Sequence, residues 1–242
     1  HKKELKNTTG FTAKFMDNKL RINGDFTFRN FDNNNNRRRV PVPYSTQQGV
    51  ITYLSTSYND YQKYFSNTLY TATNLYAEYE DTFADVHHVK GMVGYNYETS
   101  KFESSTVNRN GLLLADSKNL NLALGDAITT SGDYQKWRIA GGFFRLNYDY
   151  KDRYLLEVDG RYDGSSKFPS DQQWSFFPSV SAGWRISEEP FWKVNKNLIS
   201  DAKLRASYGS LGNGNVNPYS YLELLSISTS SYIVNGAKNK YA

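Results

Sequence analysis

One stretch constrains this chain more than any other: Trp174 to Ser187, WSFFPSVSAGWRIS. Taken at alternate positions, one side carries Trp174, Phe176, Pro178, Val180, Ala182, Trp184 and Ile186. The other carries Ser175, Phe177, Ser179, Ser181, Gly183, Arg185 and Ser187, so only Phe177 breaks the separation. Side chains of a strand point to opposite faces in turn, and alternation sustained this long predicts a β-strand. The apolar side has a tryptophan near each end and smaller groups between. A strand that crosses a bilayer is built this way, with aromatic groups at both interfaces, apolar groups toward lipid and polar groups toward a wet lumen. At ~3.3 Å per residue and a tilt near 45°, about ten or eleven residues span the apolar band of ~25 Å. A long strand of a soluble sandwich alternates in the same way, so the rest of the chain must decide between lipid and a second sheet.

Similar runs recur. Thr9 to Phe15 places Phe11, Ala13 and Phe15 on one side. After a turn at Asp17-Asn18-Lys19, Leu20 to Arg29 sets Leu20, Ile22, Gly24, Phe26 and Phe28 against polar residues. Leu69–Tyr79 and Val89–Tyr97 read as a second hairpin with a connection of about nine residues. In the third hairpin Phe144, Leu146, Tyr148 and Tyr150 alternate with Arg145, Asn147 and Asp149. Beyond a tight turn at Lys151-Asp152, Tyr154, Leu156, Val158, Gly160 and Tyr162 oppose Leu155, Glu157, Asp159, Arg161 and Asp163. Lys203 to Ser210 is an eighth strand and Tyr219 to Leu225 a weaker one, while Pro190 is placed to open a short helix. The polar segments Asn30 to Ser66 and Ser100 to Tyr134 read as long loops. Short turns at one rim and long loops at the other are the habit of outer-membrane barrels, whose long loops are extracellular. The connection Glu188 to Ser200 is longer than that rule expects.

The residues therefore predict an all-β, antiparallel transmembrane barrel. Its lipid-facing set is Phe144, Leu146, Tyr148, Tyr154, Leu156, Val158, Trp174, Phe176, Val180, Trp184 and Ile186. Its lumen-facing set is Arg145, Asn147, Asp149, Glu157, Asp159, Arg161 and Arg185, in which opposite charges on neighbouring strands stabilise the sheet by ~0.2–1 kcal/mol per pair. Composition agrees. Hydrophobic residues make up 38%, and that share includes 20 Tyr, so a soluble chain of 242 residues would have little to build a core from. No apolar run nears the ~18 residues of a membrane-spanning helix, which leaves barrels untouched. Without cysteine there is no disulfide, thiolate metal site or catalytic thiol.

No chemistry stands out. Glu157, Asp159 and Asp163 share a face with Arg161, which suits a charge ladder better than acid–base catalysis. His87 and His88 are adjacent on a strand and so point apart, and no third ligand accompanies them. The expectation is a protein that is not an enzyme, with no cofactor, no metal and, at a net charge of +5 without a basic stripe, no nucleic acid. The first long loop gathers Tyr44, Tyr53, Tyr58, Tyr61 and Tyr64, rigid amphipathic groups suited to a ligand or a protein partner. Arg37 to Arg39 would suit lipopolysaccharide phosphates. A complete eight-stranded barrel serving as adhesin or structural protein, and a soluble carbohydrate-binding sandwich, are the rival readings.

Four blocks carry a family resemblance: FRLNYDYKDRYLL from Phe144, RYDGSSKF from Arg161, FPSVSAGWRISEE from Phe177 and KLRASYGSLGN from Lys203. In that order they resemble the barrel of SusC/RagA-type TonB-linked outer-membrane transporters of Bacteroidetes. Phe144 departs from the glycine usual before Arg-Leu-Asn-Tyr, and Gly214 from the usual glutamine. The resemblance implies a 22-stranded barrel filled by an N-terminal plug, of which residues 1–242 would be part, with plug, signal peptide and terminal strands absent. It also implies import of oligosaccharide or peptide, a SusD-like surface lipoprotein as partner, and TonB as the energy source, contacting a segment outside this sequence.

Overall fold

The structure is a computed structural model that describes residues 1–54, 59–195, 197–223, 230–234 and 237–241. Its strands are β1 (Lys2–Phe15), β2 (Leu20–Arg39), β3 (Val42–Gln47), β4 (Val50–Leu54), β5 (Asp60–Phe83) and β6 (His87–Asn110). They continue with β7 (Ile128–Tyr150), β8 (Tyr154–Ser165), β9 (Trp174–Arg185), β10 (Lys203–Gly209), β11 (Ser230–Val234) and β12 (Ala237–Tyr241). Among the described residues, eight strands form one antiparallel sheet in the order β1-β2-β5-β6-β7-β8-β9-β10. The pairs β3–β4 and β11–β12 are separate hairpins. The sheet is open, with β1 and β10 at its edges, so these eight strands do not close into a small barrel by themselves.

Turn chemistry sets one rim. At Ala84-Asp85 and Lys151-Asp152 both central residues have positive φ (48° and 57°, 56° and 56°). Such turns match the twist of the strands they join. Between β1 and β2, Met16, Asp17 and Asn18 likewise have φ of 54°, 54° and 70°. These turns and the longer link 186–202 lie at one end of the sheet. Segments 40–54, 111–127 and 166–173 lie at the other.

Several elements differ from the expectations of the sequence. The strands are longer: β5 and β6 have 24 residues each, roughly 80 Å of strand at ~3.3 Å per residue. Much of what reads as polar loop, 30–39, 60–66, 100–110 and 128–134, is paired strand. Above the apolar stretch polar residues stand on both faces of the sheet, so nothing enforces alternation, and backbone pairing with bonds such as Asn67 Nδ2 to Asp32 Oδ1 (2.7 Å) holds the ladder. The second hairpin's turn is three residues, 84–86. Strand β9 ends at Arg185, and Ile186 to Glu188 form a 3-10 turn, so Ile186 is not part of the strand face. No helix opens at Pro190. Tyr219 sits in a turn with φ 64°, and 224–225 lie outside the described residues.

Candidate functional site

Register carries the alternation from strand to strand. Leu146 pairs with Val158 and Val158 with Val180, while Tyr148 pairs with Leu156 and Tyr154 with Trp184. With Phe144, Trp174 and Phe176, all ten lipid-facing candidates other than Ile186 fall on one face. That face continues through Val93 and Ala77 to Ile22 and Ala13. Apart from Phe191 edge-on to Trp184 at the short-turn border (6.3 Å), nothing of the described chain covers it: Val180 is 42% exposed, Leu146 45% and Tyr154 48%. Phe144 lies across Gly160, where an added Cβ would come within 2.3 Å of the ring. The ring fills space that glycine leaves in the next strand.

Aromatic groups border this apolar face at both ends. Toward the short-turn rim, His87 and Tyr148 stack with centroids 6.0 Å apart, and Tyr150 and Tyr154 at 6.3 Å. Toward the long-loop rim, Tyr162 and Trp174 stack at 5.2 Å. The lower border is tied down by a residue the sequence did not flag. Glu189 Oε1 accepts from Tyr154 Oη (2.6 Å) and Trp184 Nε1 (2.9 Å), with Arg153 3.6 Å from its other oxygen. The Tyr154 hydroxyl, then the Trp184 N–H, hold the Glu189 carboxyl below its ordinary pKa.

The opposite face is polar, and six of the seven lumen-facing candidates ladder across it. Arg145 Nε is 2.5 Å from Asp159 Oδ1, Asn147 Nδ2 donates to Glu157 Oε2 (2.7 Å), and Arg161 Nε to Asp163 Oδ2 (2.6 Å). Asp149 closes its own turn by accepting from the Asp152 N–H (2.7 Å). Arg145, Asn147 and Glu157 line a shallow recess of about 500 Å³ with Glu78, Lys90 and Arg205. Arg185 instead reaches the rim, where Nη1 meets the Asp152 carbonyl at 3.3 Å. Phe177, the apolar exception on this face, is covered by the chain at Gly212, where a Cβ would lie 2.2 Å from its ring.

At the long-loop rim the tyrosines part company. Tyr44 and Tyr53 sit on the β3–β4 hairpin, 38% and 54% exposed. Tyr61 and Tyr64 are on β5, not in a loop. Tyr61 is corrected as a contact candidate. At 3% exposed it packs with Leu112 and Ala123, beside Val40 and Leu120, because segment 111–127 folds over it. Tyr58 lies outside the described residues.

Beside Tyr61, Asp60 is gripped by Arg39 through Nε (2.9 Å) and through an Nη2–Oδ2 contact, with Asn108 Nδ2 at 3.5 Å. One member of the arginine run is thus a structural clamp. The Arg39 guanidinium holds the Asp60 carboxyl below its ordinary 3.8. A depressed carboxyl stabilises the fold above its unfolded pKa, and the contribution disappears as pH falls through the folded value. Protease access to 111–127 is expected to rise below about pH 4. Asp60→Asn should show that access already at neutral pH and lose the acid transition. An unaltered acid transition in the variant would remove Asp60 as its source.

The model for the family described as TonB dependent receptor-like, beta-barrel matches residues 3–239. TonB-dependent receptor P26 of Formosa agariphila is 39% identical over 145 residues, 59% of this chain and 14% of that protein. TonB-dependent receptor P39 of the same organism is 33% identical over 177 residues, 70% and 16% of the two chains. TonB-dependent receptor SusC of Bacteroides thetaiotaomicron is 44% identical over 101 residues, 41% of this chain and 9% of that one. This chain therefore spans less than a fifth of the length of these relatives. The solved RagAB peptide transporter superposes with a TM-score of 0.76 at 16% identity, covering 99% of this chain and 25% of that one. At that identity the likeness concerns the fold.

Proposed function

This chain belongs to the family of TonB-dependent receptor-like β-barrels, and on that premise we propose that it forms part of the wall of an importer in the bacterial outer membrane. Members of the family are outer-membrane receptors and transporters, not enzymes. Residues 1–242 serve as one stretch of a larger barrel that other segments of the protein complete around a plug. The apolar face, from Phe144 and Leu146 across to Val180 and Trp184, meets lipid. The face of Arg145, Asn147, Asp149, Glu157, Asp159 and Arg161 lines the lumen. The rim of 40–54 and 111–127 is extracellular. One observation carries this reading: an uncovered apolar band, bordered by stacked aromatics at both ends, backs directly onto a hydrogen-bonded polar face.

The cargo is an oligosaccharide or a peptide, and a SusD-like surface lipoprotein docks on the long-loop rim while TonB supplies the energy. Support for docking comes from apolar groups left in water there. Ile51 (67% exposed), Tyr53 and Leu54 project from β4, and Leu113, Leu114 and Leu124 from 111–127. Patches of this kind mark protein interaction sites. Cells carrying the whole protein are expected to accumulate labelled oligosaccharide or peptide only when TonB is present, and accumulation independent of TonB would end the import reading. Alanine at Tyr44 and Tyr53 should reduce copurification of the lipoprotein severalfold. Undiminished copurification would remove the hairpin from the interface.

A further inference from the structure

Strand β7 outruns the strand that follows it. β8 stops at Ser165, opposite Ile139, whereas β6 pairs with β7 as far as Ile128. Among the described residues, no strand lies beside one side of β7 from Ile128 to Arg138. Two positions at the foot of this edge are closed by loops. Arg138 gives its N–H to Ser166 Oγ (2.9 Å) and takes the Ser166 N–H on its carbonyl (3.0 Å). At Lys136 one hydroxyl does both jobs: Tyr219 Oη accepts the N–H (3.3 Å) and donates to the carbonyl (3.1 Å). These bonds fix the sense of the alternation, so even-numbered residues present N–H and C=O outward. Among the described residues the outward backbone groups of Ile128, Thr130, Gly132 and Tyr134 have no partner, and residues 128–135 are all exposed. Natural edges of this kind are usually blunted by proline, lysine or a bulge. The stretch ITTSGDYQ contains neither proline nor lysine and pairs with β6 without a bulge.

The foot of the edge is basic. Lys101 and Lys136 lie directly opposite each other on β6 and β7, an arrangement that destabilises a sheet. Arg138 follows on the same face, and the Lys167 ammonium lies 5.0 Å from the centre of the Trp137 ring. Glu103 answers Lys101 at 2.7 Å. Among the described residues no carboxylate pairs with Lys136, Arg138 or Lys167. Cations crowded beside open backbone are a local conflict that an anionic occupant resolves.

We propose that the free edge of β7, residues 128–135, captures an extended peptide bearing carboxylate side chains by taking it up as an added strand. Backbone bonds to Thr130, Gly132 and Tyr134 give grip with little regard to sequence, and Lys136 and Arg138 give the preference for acidic residues. A free peptide suits the site better than a folded partner. The edge offers threonine, serine, glycine and aspartate, while the exposed apolar anchors sit on the β4 and 111–127 surfaces. The proposal rests on the importer reading and narrows its cargo to peptide.

The test uses the whole protein purified from outer membranes in detergent. The probes are a short fluorescent peptide of alternating threonine and glutamate, a copy N-methylated at alternate backbone positions, and a threonine–glutamine copy. Proline at Thr130 and Tyr134 removes outward N–H groups and leaves the bonds to β6 in place. Wild type is expected to bind the acidic peptide about tenfold more tightly than the methylated copy, and the proline variant should lose that difference. Lys136→Gln with Arg138→Gln should abolish the preference for glutamate over glutamine. Equal binding of acidic and methylated peptides by wild type would overturn the proposal, and this comparison needs no variant to fold. So would a glutamine copy that binds wild type as tightly as the acidic peptide. Failed uptake with binding intact would count against the importer reading alone.

Discussion

Arginine in place of Val180 is expected to cost about 2–4 kcal/mol of stability in the membrane, the penalty for a cation on the lipid side near the midplane of a barrel. Val180 sits between Val158 and Tyr208 on neighbouring strands, within the stretch bounded by Trp174 and Trp184. Its side chain is 42% exposed, with nothing of the described chain above it. One residue earlier, Ser179 is on the polar face directly opposite Asp159. Ser179→Arg should therefore be tolerated, since the new guanidinium meets water and a carboxylate. Unfolding by urea in lipid vesicles, followed by the gel shift of folded barrels, measures both variants. A soluble or protein-covered face would also reject the Val180 substitution, but by blocking assembly in water. The membrane reading is abandoned if Val180→Arg folds as well as Ser179→Arg, or if wild type is fully soluble without detergent.

Valine at Gly111 should open the cap that segment 111–127 forms at the long-loop rim while leaving the wall intact. Gly111 has φ of 73°, and its N–H bonds the Asn59 carbonyl at 2.7 Å while its own carbonyl accepts from Leu124 at 2.8 Å. A Cβ there would lie 2.5 Å from the Gly125 nitrogen and 2.8 Å from its Cα, so backbone would have to move. The left-handed conformation alone costs a side chain about 1–3 kcal/mol, and separating the two backbones adds to it. Gly49 is a control with the same strain and no crowding: its φ is 81° and nothing lies within 4 Å of a Cβ. Gly49→Ala should be mild. Cleavage of 111–127 by protease added to intact cells should rise sharply for Gly111→Val, with the folded-barrel gel shift unchanged. Equal cleavage in the two variants would mean that the Gly111–Gly125 contact does not hold the cap.

The sheet's two faces were legible because lipid and water enforce alternation residue by residue. Trp174 to Trp184 and Phe144 to Tyr150 announce their faces, and Lys151-Asp152 announces its turn. Above the band the enforcement stops. Asn33 to Arg39 are paired strand yet read as loop, since no face there has to be apolar and the ladder is held by backbone bonds that composition does not reveal. Tyr61 read as a contact residue because its cover, Leu112 and Ala123, comes from 51 and 62 positions further along the chain. Glu189 is silent in the sequence for a similar reason. Its partners Tyr154 and Trp184 converge only once β8 and β9 are in register. The cue was the run Trp184 to Glu189 itself, an aromatic border residue followed by an acid at the first turn beyond the strand.

The overshoot of the strands has an electrostatic consequence. Arg37 lies nine residues beyond Phe28, the last aromatic on the apolar side of β2. At ~3.3 Å per residue and a tilt near 45°, that raises it about 20 Å above the hydrocarbon boundary. Mobile ions damp a charge over ~8 Å at physiological ionic strength. The arginine cluster therefore stands too far out to feel anionic groups close to that boundary. What governs encounters at this height is the palisade's own pattern of charge. Altering the lipid beneath it should leave those encounters unchanged, whereas moving one lysine on β6 or β7 should not.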